Sequence, residues 1–139
     1  MTKGKNFKKP RSKGTARFEV KTADQKTNYD LSKPIFSFKH IKYRGSYCIS
    51  QCQEEKKSLI IDTLLRLSQS TWQEIKRLPK VAGFESIPRH RFIVPLPSIL
   101  TPEVAILVVR YDGDGGRLAG YREKDIYHIV LVGRNLYPH

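Results

Sequence analysis

Long apolar runs are missing from this sequence. No stretch of about 18 consecutive apolar residues occurs, so no membrane-spanning helix is expected. The basic N-terminus is not followed by the short apolar core of a secretion signal, which makes the cytoplasm the expected compartment. Cysteine is scarce: Cys48 and Cys52, spaced C-x3-C, are the only two. A disulfide between them would need an oxidising compartment, and no second Cys/His pair stands nearby at zinc-ligand spacing. They read as ordinary semi-buried thiols, and neither a metal nor a cofactor is expected. Internal repeats are absent as well.

Acidic residues are few: 13 Asp and Glu stand against 26 Lys and Arg, a net charge of +13. The first 33 residues hold ten Lys and Arg against Glu19, Asp24 and Asp30, and the remainder holds sixteen against ten acids. Both parts are basic, so the excess is more than a tail on a neutral body. Solubility alone does not require so large an imbalance. Polyanions are the partners such a charge selects, and nucleic acid is the commonest of them.

What is present divides the chain at Pro34. Residues 1–34 are polar, rich in Lys, Thr and Gly, and nearly empty of Leu, Ile and Val. Such a segment cannot bury enough apolar surface to offset the entropy of ordering, so it reads as a basic flexible arm, and the 17–20 stretch Arg-Phe-Glu-Val could become a strand on a partner. Residues 35–139 read as one domain. The segment 35–41 alternates as a strand does. Ser50 and Gln53 have capping-box spacing for a first helix, whose Ile60, Leu64 and Leu67 form an apolar stripe widened by Ile61 and Leu65. Thr71 and Glu74 form a second capping box, Trp72 and Ile75 anchor that helix, and Pro79 stops it. Five prolines between 79 and 103 predict a long irregular crossing. Strands follow at 104–111, 117–122 and 126–132, joined by an Asp-Gly turn and a turn at Lys124-Asp125. The predicted class is therefore α+β, in the order β-α-α-β-β-β, an antiparallel sheet with two helices packed on one face and the other face open to solvent or ligand. Asp112 to Glu123 has the length of a calcium loop, but Gly116 has no ligand to offer and Arg117 stands where that loop needs glycine, so a turn is the better reading.

Side chains alternate across a strand. On the predicted strands Val104, Ile106, Val108 and Arg110 share a face, as do Arg117, Ala119 and Tyr121. His128 goes with Ile126, Val130 and Val132, and Tyr127 with Ile129 and Leu131. Arg110, Arg117 and Tyr121 are expected to converge, joined by Arg134, Tyr137 and His139. Guanidinium forks hold phosphate, phenols stack or donate protons, and imidazole titrates near neutrality. Cleavage of RNA through its own 2′-hydroxyl needs a base, an acid and charge stabilisation, which arginine supplies without a metal. Plainer roles stand beside these: His128 as a hydrogen-bonded core residue, Arg117 and Arg122 as solvent-facing hairpin positions, Tyr121 and Tyr127 as packing groups.

The element order and the closing RLAGYREKDIYHIVLVGRNLYPH resemble the RelE/ParE-like toxin superfamily of toxin–antitoxin systems, loosely over 36–139 and more closely over 104–139. The resemblance implies a RelE-like, metal-independent endoribonuclease acting on mRNA, usually at the ribosome, with an acidic antitoxin as partner. It implies phosphate contacts at Arg110, Arg117 and Arg134 and a proton-handling pair at Tyr137 and His139, with His128 a further catalytic candidate on its chemistry. Lys76, Arg77 and Lys80 resemble the family's basic residues that touch ribosomal RNA. Arg89 and Arg91, on the Pro-rich segment, and Tyr121 complete the expected RNA contacts. A non-catalytic nucleic-acid or ribosome-binding protein would use the same arginines without reacting. A protein inhibitor with a basic surface is a third reading.

Overall fold

The computed structural model describes residues 27–138. Residues 1–26 of the arm expected over 1–34, with the Arg-Phe-Glu-Val stretch, and His139 lie outside the described residues.

The domain is α+β: a five-stranded sheet with two helices. The strands are β1 (Ile35–Ser37), β2 (Phe84–Ser86), β3 (Leu107–Arg110), β4 (Gly116–Glu123) and β5 (Ile126–Arg134), and the helices are α1 (Glu54–Leu67) and α2 (Trp72–Lys76). The sheet order is β1-β5-β4-β3-β2. The β3-β4-β5 meander expected from alternation and turn residues is present, and Lys124 takes a positive φ of 60° at the tight turn into β5. Two expectations are corrected. The sheet is mixed, because β1 runs parallel to β5, with Ile35 facing Ile126. The Pro-rich segment also contributes a strand, β2, antiparallel to β3. A strand of three residues is too short to show a period.

The helices cover one face. Thr71 caps α2 as expected: its hydroxyl accepts from the Glu74 N–H while the Glu74 carboxylate accepts from the Thr71 N–H. Ser50 does not cap α1. It sits within a 3-10 turn (Ile49–Gln51), and α1 begins after Gln53 without a side-chain cap. The apolar stripe of α1 is narrower than expected: Ile60, Thr63, Leu64 and Leu67 are buried, while Ile61 and Leu65 are exposed. Ile60, Leu64 and Leu67, with Trp72 and Ile75, pack on Val109, Leu118, Tyr127, Ile129 and Val132. The indole N–H of Trp72 donates to the Asp125 carbonyl at 3.0 Å, so its polar edge is satisfied while its ring stacks on Phe84. Asp30, in a 3-10 turn ahead of β1, pairs with Lys76 at 2.6 Å and Arg122 at 2.8 Å, tying Tyr29–Leu31 to α2 and β4.

The other face is not open. Leu100 from the Pro-rich segment and Leu136 from the C-terminal segment pack with Ile87, Ile106, Val108, Ala119, Val130, Leu131 and Tyr137 into a second core. Apolar positions spread among prolines supply this cover without helical or strand periodicity. Among the described residues no helix is long and apolar enough to cross a membrane.

Candidate nucleic-acid interface

A bulge decides which side chains share the far face. Ala119 faces Leu131 but Gly120 faces Ile129, so Val130 is an extra residue in β5. Beyond it the alternation flips: Leu131 joins Val130 on the far face and Val132 joins the helical one, the reverse of a regular strand. Gly120 permits this, since a Cβ there would be driven into the carbonyl oxygen of His128.

The chemistry-bearing side chains fall into two groups at opposite ends of the far face. At the first, Arg110 and Arg117 are directly opposed across β3 and β4. Arg117 is buried, contrary to a solvent-facing hairpin position. Its Nε donates to the Tyr137 hydroxyl at 3.3 Å and its Nη1 to the Gly116 carbonyl at 3.0 Å. Tyr137 is buried against Phe92, and the Arg91 guanidinium lies 5.3 Å from its ring centre while donating to the Pro138 carbonyl. Arg110 has the Glu85 carboxylate at 3.7 Å, which Lys80 approaches to the same distance, and its buried Nε has no hydrogen-bond partner among the described residues. Arg91 and Arg117 thus meet at Tyr137, and Arg110, opposite Arg117 across the strands, lies by a half-buried carboxylate.

At the second end Tyr121 faces His128 across the strands and stacks on it at 4.8 Å, with His40 5.1 Å from His128. His128 is buried; its Nε2 lies 3.0 Å from Glu123 Oε1, and its Nδ1 has no partner among the described residues. Burial, and then the Glu123 charge, raise the Tyr121 phenol above its usual range.

The expected constellation is therefore divided. Tyr121 is four residues along β4 from Arg117, about 13 Å away, so it does not join the arginines, and His128 is beside it. Arg134 also leaves the group: it alternates to the helical side, lines a cleft of about 300 Å³ with Cys48, Cys52, Lys56 and Tyr111, and reaches Asp114 at 3.5 Å. Both thiols are free. Burial raises the Tyr111 phenol in that cleft to about 12. Lys76 is engaged by Asp30 beside an exposed Arg77, both at the end of α2, and Arg89 donates to the Leu100 carbonyl, clamping the Pro-rich segment. Arg122 covers the Trp72 ring at 4.2 Å. Among the described residues no three His, Cys, Asp or Glu side chains cluster as a metal would need.

One basic surface lies outside the expected sites. The chain between Asp30 and Glu54 contains no acidic residue, while Lys33, Lys39, Lys42 and Arg44 alternate there with Phe36, Phe38, His40, Tyr43 and Tyr47. That interleaving was the available signal.

Comparison with family models, curated proteins and solved structures finds no match to this chain.

Proposed function

We propose that the protein binds RNA by its phosphates, without cleaving it, and that the arginine end of the far face is a principal contact. The observation that carries this is Arg117. A buried guanidinium held only by neutral oxygens among the described residues, opposite a second arginine, is costly in a lone protein. An anion seated between Arg91 and Arg110, with Arg117 beneath them, offsets that cost. Phosphate suits it, because guanidinium forks match its oxygens. The net charge of +13 adds the long-range attraction that brings a polyanion to the surface. A binding role is preferred because His128 lies far from Arg117, and Tyr137 is packed where it positions the guanidinium.

The second reading is the RelE-like toxin: metal-independent cleavage of mRNA at the ribosome, with an acidic antitoxin as partner. The Tyr137 hydroxyl on Arg117 favours it, since phenol and guanidinium would meet one phosphate.

Both readings are tested by adding the full chain to labelled single-stranded RNA and to translating ribosomes, in EDTA. The expected outcome is binding that weakens steeply with salt, falls about tenfold or more in Arg110→Gln with Arg91→Gln, and leaves the RNA intact. Cuts that persist in EDTA and vanish in Tyr137→Phe and in His139→Ala would replace the binding role with the toxin reading. A wild-type chain that binds neither RNA nor ribosomes would end both.

A further inference from the structure

The second end of the far face carries a site that the arginine cluster does not explain. β1 leads into a run of tight turns: the Ile41 N–H donates to the Phe38 carbonyl, Gly45 to Lys42 and Cys48 to Gly45, before the Tyr47 carbonyl accepts from Val132 on β5. These turns fold the acid-free segment into a compact ridge along the sheet edge. Tyr43 is 76% exposed and Phe38 43%, values that leave a ring face free. Lys39, Lys42 and Arg44 alternate with the rings and are exposed too. Arg44 holds a φ of 62°, where glycine or asparagine would sit without strain, and its guanidinium lies 5.5 Å from the Tyr43 ring centre. Beside the ridge is an open cleft of about 330 Å³. Pro95, Leu96 and Leu131 give it apolar walls, and His40 and Lys42 give it a polar side. The His40 ring lies 5.1 Å from that of His128, whose Nδ1 has no partner among the described residues.

An occupant must be anionic, must offer flat faces to exposed rings, and must present a polar edge to imidazole and ammonium. Unpaired nucleotides meet all three conditions, while a duplex hides its base faces. We infer that the Phe38–Arg44 ridge and its cleft seat single-stranded RNA: Phe38 and Tyr43 stack on bases, Lys39, Lys42 and Arg44 hold the phosphates between them, and one base enters the cleft against His40. This rests on the RNA-binding role proposed above and adds the strand form recognised and a second contact. The Tyr121–His128 stack underlies this ridge while Arg117 lies about 13 Å further along β4, a spacing that a strand of two or three nucleotides spans.

The test is fluorescence anisotropy of a labelled twelve-nucleotide RNA with the full chain, across a salt series, with a duplex of equal length as competitor. Phe38→Ala with Tyr43→Ala should weaken binding about tenfold or more and leave the salt slope unchanged. Lys39→Gln, Lys42→Gln and Arg44→Gln together should flatten the slope by about 2. The duplex should compete poorly. These positions are exposed, and an unchanged thermal midpoint confirms that the variants fold. If the ring variant binds as wild type, or the duplex competes equally, the ridge is not a single-strand site. Were Arg110→Gln with Arg91→Gln then still to abolish binding, the arginine contact would stand and only this inference would fall. Absence of any RNA binding by wild type would remove both. Capture on phosphatidylserine vesicles that RNA fails to displace would make the ridge a membrane contact and overturn the proposal.

Discussion

The two faces of the sheet are both buried, but they are built by opposite means. On the helical side, two capped or periodic helices lay Ile60, Leu64, Leu67, Trp72 and Ile75 on the sheet, and the indole finds a carbonyl for its N–H. On the far side an irregular chain does the covering; Arg117 and His128 are buried there, and the His128 Nδ1 has no hydrogen-bond partner among the described residues. A regular helix brings a dry, uniform face. A loop can close over polar groups and still leave approaches between its turns. The difference places the candidate chemistry on the loop-covered side.

Substitutions on the two faces test this contrast. The largest effect is expected at Gly120, where the two faces meet at the bulge. Gly120→Ala drives its methyl into a strand carbonyl, so the variant should lose about 3 kcal/mol or more, or fail to fold. Urea unfolding within 1 kcal/mol of wild type would show that the bulge is not fixed there. Next come Trp72→Ala and Leu136→Ala, one on each face and both almost fully buried. If the loop-covered side is a true core, Leu136→Ala costs about 2–5 kcal/mol beside about 3–5 for Trp72→Ala. A cost near zero at Leu136 would make that side a loosely laid cover and end the symmetry of burial.

The smallest effect concerns pH. Burial raises the Asp112 carboxyl, but the Lys56 ammonium at 2.7 Å and the N–H groups of Gly116 and Asp114 outweigh it and hold the group below its ordinary range. A carboxyl depressed by folding contributes stability above its unfolded value, and that contribution is lost as pH falls through the folded one. Asp112→Asn should therefore cost about 1–2 kcal/mol near neutrality, and the gap should close below about pH 4. Equal gaps at pH 7 and pH 3 in urea titrations would assign the loss to something other than this ionisation.

How much was legible follows the same division. The second helix, its capping box and the meander are written in local spacing, and so is the α+β class. β2 and the parallel pairing of β1 were not legible, because contacts between distant segments decide them and each strand is three residues long. The bulge inverted the faces of Leu131 and Val132 because Gly120, not alternation, sets that register. It also sent Arg134 to the helical side, whereas Tyr121 and His128 stand apart from Arg117 simply by distance along the strands. The 38–44 ridge is legible as a run of rings and cations without acids, a pattern without the periodicity of a strand or helix.

The parallel pairing of β1 with β5 bears on the order in which the molecule assembles. Ile35 meets its partner, Ile126, only when the last strand exists. A chain growing from its N-terminus exposes β1 and the apolar stripes of α1 and α2 before β3, β4 and β5 are available to cover them. Folding to the native sheet must therefore wait for nearly the whole domain to emerge, and until then the apolar stripes of the helices lack their native cover.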